Sequence, residues 1–74
     1  MPPGVPLWRL RAPNGQVREC FVDPAGTGEW LLTLWNDQKL HHSEIHPTEA
    51  AGAARAGTLR SELVADGWME LRVM

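Results

Sequence analysis

The stretch Leu7-Trp8-Arg9-Leu10-Arg11-Ala12-Pro13-Asn14-Gly15-Gln16-Val17-Arg18-Glu19-Cys20-Phe21-Val22-Asp23 decides the fold. Two runs of strand-forming residues flank Asn14-Gly15. Asn-Gly is the preferred pair for a two-residue type I′ hairpin turn, because both central positions need positive φ. With that turn, Ala12 faces Val17, Arg11 faces Arg18, Arg9 faces Cys20 and Trp8 faces Phe21. Side chains alternate across a strand. One face then holds Trp8, Leu10, Ala12, Val17 and Phe21, with Glu19 as the exception. The other holds Arg9, Arg11, Arg18 and Cys20. This split of apolar from polar supports the register.

Outward from the hairpin, Asp23-Pro-Ala-Gly-Thr-Gly28 is a loop by composition. Glu29 to Asn36 reads as a third strand, and its apolar residues on both faces suit a covered interior position. Pairing Val22 with Glu29 places Trp30, Leu32 and Leu34 on the Trp8 face. Leu31, Thr33 and Trp35 then join the arginines. Asp37-Gln38 can serve as the next turn, leading into Lys39 to His46, and Asn36-Asp37 would serve as well with the faces of that strand reversed. On that strand His41, Ser43 and Ile45 are expected on the core face, and Leu40, His42, Glu44 and His46 on the arginine face.

A helix begins near His46-Pro47-Thr48-Glu49, with Pro47 suited to the first helical position and Glu49 to the free N–H groups there. It runs through Ala50 to about Asp66, and Gly67 suits the position after the C-cap. Ala53, Ala56, Gly57, Leu59, Leu63 and Val64 form its apolar side, and Arg60 lies on that side; Glu19 either sits at the rim or pairs with Arg60. Residues 68–74 alternate as a short final strand or as an arm for a partner subunit. The predicted fold is therefore α+β: a four-stranded antiparallel meander with one helix packed on one face, and a short C-terminal strand. Residues 1–6 read as a flexible arm and 7–74 as a single small domain.

The chain has 74 residues and a net charge of −2. That balance disfavours a dedicated nucleic-acid binder, which carries a positive excess. Four tryptophans are many for this length. Each buries about 150–250 Å², so Trp8, Trp30, Trp35 and Trp68 are expected in a core or an interface. The one cysteine, Cys20, excludes an intramolecular disulfide and a multi-cysteine zinc site. The N-terminal stretch lacks the charged start and apolar core of a signal peptide, and no apolar run is long enough to span a membrane. A cytoplasmic location is expected. The excess of Arg over Lys, with abundant Ala and Gly, suits a GC-rich bacterial genome.

One helix covers one face of a four-stranded sheet. The other face is left to Arg9, Arg11, Arg18, Leu31, Trp35 and Leu40, and contiguous exposed apolar side chains mark interfaces. The function expected is a small non-enzymatic interaction module that self-associates or binds a protein partner through this face, with no cofactor. The competing reading is single-stranded nucleic acid held by Arg9, Arg11, Arg18 and Trp35. A lesser one is a metal at His42, Glu44 and His46, a two-histidine, one-carboxylate set. Their spacing along a strand is wide for a single ion, and a polar edge strand is the favoured account of them. Cys20 beside Arg9 and a histidine is a weak nucleophile candidate, since a lone strand cysteine ordinarily packs as a small hydrophobe.

Overall fold

Pro13 and Gly15 together decide how the first hairpin turns. Proline's ring holds φ near −65°, which suits the first central position of a type I turn. In the computed structural model, which describes residues 4–71, the Gly15 amide donates to the Ala12 carbonyl at 2.9 Å, closing a turn over Pro13-Asn14. Gly15 follows at φ 93°, and the Ala12 amide donates to the Gln16 carbonyl at 2.8 Å. This is a three-residue loop with a glycine in the left-handed region, where the sequence pointed to two residues. The strands shift by one, so Trp8 faces Cys20, Arg9 faces Glu19, Leu10 faces Arg18 and Arg11 faces Val17. A one-residue slip turns a whole strand over.

The elements are β1 (Trp8–Arg11), β2 (Val17–Pro24), β3 (Trp30–Asn36), β4 (Lys39–His46), α1 (Glu49–Ala65) and β5 (Met69–Glu70). They form a five-stranded antiparallel sheet in the order β4-β3-β2-β1-β5 with α1 packed on it, the meander, helix and short last strand expected. Val22 pairs with Leu32, and not with Glu29, because the loop closes later, with Ala25 N–H donating to Glu29 at 2.9 Å. The type I′ geometry assigned to Asn14-Gly15 occurs instead at Asp37-Gln38, with φ of 49° and 69°. Asn36 pairs with Lys39 across that turn.

A bulge follows in β4. Trp35 pairs with Leu40 but Leu34 pairs with His42, leaving His41 as the extra residue. Beyond it the alternation is inverted, so His42, Glu44 and His46 lie level with Leu34, Leu32 and Trp30, while Ser43 and Ile45 join the other face.

Thr48, and not Pro47, begins the helix: its side chain accepts the Ala51 amide at 3.1 Å as an N-cap. At the far end Gly67 has φ 97°. The amides of Trp68 and Gly67 donate back to Leu63 and Val64 at 3.0 and 3.1 Å, the paired bonds of a Schellman cap. The chain reverses there and lays β5 against β1.

The core lies between sheet and helix. Trp8, Leu10, Cys20, Leu32, Leu34 and Ala56 are buried in it, with Val22, Leu59, Leu63 and Trp68 packed around them. The helix presents Gly52 and Ala56, both buried, followed by the half-buried Leu59 and Leu63. This stripe is narrower than expected, since Ala53, Gly57 and Val64 are exposed. Among the described residues no helix is long and apolar enough to cross a membrane.

Candidate functional site

The sheet face turned away from α1 is built by the odd-numbered residues of the first three strands. The registers place Arg9, Arg11, Val17, Glu19, Phe21, Asp23, Leu31, Thr33 and Trp35 on it. Past the bulge, β4 adds Ser43 and Ile45, with Leu40 before it, and β5 adds Met69 opposite Arg11. Phe21 and Thr33 are buried at its centre. The Trp35 indole Nε1–H donates to Thr33 Oγ1 at 3.0 Å, so the ring lies along its strand over that threonine. The rims are open: Leu40 is 56% exposed, Ile45 54% and Met69 73%.

Of the interface residues read from the sequence, Arg9, Arg11, Leu31, Trp35 and Leu40 share this face. Arg18 does not. The hairpin shift carries it to the helix side, where its guanidinium stands over the Trp68 ring at 5.0 Å, a cation–π contact. The opposed pair of like charges expected from the type I′ register is absent. Arg9 instead meets Glu19 across the strands at 3.8 Å, and the proposed Glu19–Arg60 pair is replaced by Arg60–Glu70. Ile45 and Met69 were missed because the first depends on the bulge and the second on where β5 docks.

His42, Glu44 and His46 do converge, but beneath the helix. Arg55, nearly two turns past the helix start, reaches down to the Glu44 carboxylate with contacts of 3.2–3.3 Å from Nε and Nη2. His42 and His46 approach the same carboxylate through Nε2 at 2.9 and 3.0 Å. An ionised carboxylate only accepts, so each ring presents Nε2–H to it. The Arg55 and His42 hydrogen bonds are the chief reasons that the Glu44 pKa falls from 4.5 to about 2. A metal would have to displace the guanidinium and both N–H donors. Among the described residues no His, Cys, Asp and Glu side chains are grouped so as to hold one. This cluster ties α1 to the edge strand.

Cys20 is fully buried under α1, away from the arginine face where the sequence placed it. Burial, and secondarily the Glu44 charge, push its thiol up to about 12. A thiol held protonated is a poor nucleophile, so Cys20 packs as core. A cleft of about 320 Å³ opens between the hairpin tip and β5, lined by Arg11, Ala12, Pro13, Gly67 and Met69 among others. No protein-family model, curated protein or solved structure matches this chain.

Proposed function

We propose that this chain is a non-enzymatic interaction module that docks protein through the sheet face opposite α1. The observation that carries this reading is the uncovered apolar surface itself. Leu40, Ile45 and Met69 stand more than half exposed around Trp35 and the buried Phe21. Exposed apolar side chains around such a face, with arginine and tryptophan among them, are where binding energy concentrates. The nucleic-acid reading needs Arg9, Arg11 and Arg18 gathered beside Trp35. Arg18 faces the other way, Arg9 is offset by Glu19, and Asp23 adds a further anion to this face.

The test is a photo-crosslinking amino acid placed at Leu40 in cells, with exposed Ser61 on the helix as control. Protein adducts are expected from Leu40 and not from Ser61, and Trp35→Ala should reduce them while circular dichroism stays unchanged. No adduct from Leu40, or equal adducts from both positions, overturns the reading.

A further inference from the structure

We propose that the occupant of the open face is a second copy of this chain, docked face to face about a two-fold axis that lies between the two sheets and crosses their strands. This rests on the docking reading above and names its partner. Two observations carry it: where the exposed apolar side chains sit, and where the free charges sit.

The exposed apolar residues occupy both rims. Leu40 and Ile45 are on β4, Met69 is on β5, and these strands are the two edges of the sheet. With strands spaced about 4.8 Å apart the edges are about 19 Å from each other. A docked helix is about 10–12 Å across, so laid along the strands it covers one rim, whereas a second sheet covers both. Strands β2 to β4 have 7 or 8 residues. With β1 at 4 residues and β5 at 2, the five strands cover roughly 460 Å² in projection, and more over corrugated side chains. That is below the ~800 Å² per partner of a standard interface and suits a dimer that forms reversibly with concentration. Two sheets pack about 10 Å apart with their strands roughly 30° from alignment.

The charges select a copy of the same chain. Arg11 is level with Val17 at the hairpin end, and Asp23 is level with Leu31 and Ile45 at the other. Both point away from α1, and neither has an ion-pair partner among the described residues. The two levels are about 20 Å apart along β2. The face therefore has Arg11 at one end and Asp23, beside Leu31, at the other, with Phe21, Thr33, Trp35 and the mutually paired Arg9 and Glu19 between them; Asp37 at the Arg11 end is engaged by the Val17 amide. A two-fold contact uses the same patch on both subunits. An axis crossing the strands reverses one copy end for end and brings Arg11 of each over the Asp23 end of the other. An axis along the strands would instead stack each end on its like.

The experiment is light scattering after size exclusion across a concentration series, on the wild-type chain and on Arg11→Asp, Asp23→Arg, their double swap and Leu40→Asp. The wild type should show twice the 8.2 kDa chain mass. Each single swap should weaken the dimer by roughly tenfold. The double swap should restore it, and Leu40→Asp should abolish it with circular dichroism unchanged. A monomer at every concentration overturns the dimer, as does a dimer indifferent to all four variants. The Leu40 crosslink separates the two failures: an adduct with a different protein refutes the second copy and leaves the docking reading standing, and no adduct removes both.

Discussion

Trp8 shows how one side chain joins the two layers. Its ring is buried on β1, and its indole Nε1–H donates to the Ala56 carbonyl of the helix at 2.9 Å. A buried donor without an acceptor costs about 1–3 kcal/mol. Phenylalanine removes the donor and keeps most of the ring. Trp8→Phe is expected to destabilise by about 1–2 kcal/mol, from the hydrogen bond and the lost ring volume together. Urea unfolding followed by circular dichroism measures it, and an unchanged midpoint would mean the bond contributes nothing. The two sides of the sheet treat tryptophan differently: Trp8 and Trp68 seal the core, whereas Trp35 spends its N–H on Thr33 and leaves its ring half open for contact.

Helix α1 is seated by the absence of side chains. A Cβ on the buried Gly52 would meet Val22 Cγ1 at 3.0 Å, and Val22 is a stiff, β-branched residue in the sheet. A Cβ on Gly57, five residues along and facing solvent, would meet nothing within 4 Å. Alanine in an exposed helix interior is worth about 0.5–1 kcal/mol over glycine. Gly57→Ala should therefore stabilise by about that much. Gly52→Ala should reverse the sign, because overpacking costs about 1–3 kcal/mol. Thermal melts of the two variants decide it. Equal stabilisation by both would mean that the helix can lift from Val22 without loss.

For the whole molecule, the Glu44 cluster couples stability to acid. Its folded pKa, about 2, lies below the ordinary 4.5. The stability it contributes is therefore fully present above about pH 4.5 and disappears as pH falls through about 2. Comparing urea midpoints of wild type and Glu44→Gln across this window should show the wild type ahead at pH 6 and the two curves converging by pH 2. Parallel curves would mean that Arg55, His42 and His46 do not favour the charged form. Because Glu44 sits on an edge strand and Arg55 on the helix, hydrogen exchange should report the loss first where α1 meets β4.

Local chemistry along the chain determined the element order. The two Pro/Gly-bearing loops, the turn at Asp37-Gln38, the Gly67 cap and the alternation of β1 and β3 are written in residue types whose backbone preferences act over a few positions. So Leu31, Trp35, Leu40, Arg9 and Arg11 were legible as one face. Arg18, Cys20, His42, Glu44, His46 and Ile45 were not. Their side depends on parity, and parity was reset three times: by a third loop residue at Pro13, by the pairing of Val22 with Leu32 in place of Glu29, and by the His41 bulge. The first two shifts cancel for β3, which is why Leu31 and Trp35 stay with Arg9 and Arg11. A single inserted residue costs little locally but inverts every side chain beyond it. Only the packed helix, which buries Cys20, packs on Val22 and offers Arg55 to Glu44, selects between the two parities. Arg9, Arg11, Leu31, Trp35 and Leu40 on the open face came from the sequence; its charge balance did not, because the hairpin shift exchanges Arg18 and Cys20 for Glu19, Phe21 and Asp23. Which residues compose its rims was decided by tertiary contact, because rim positions depend on where β4 bulges and where β5 docks.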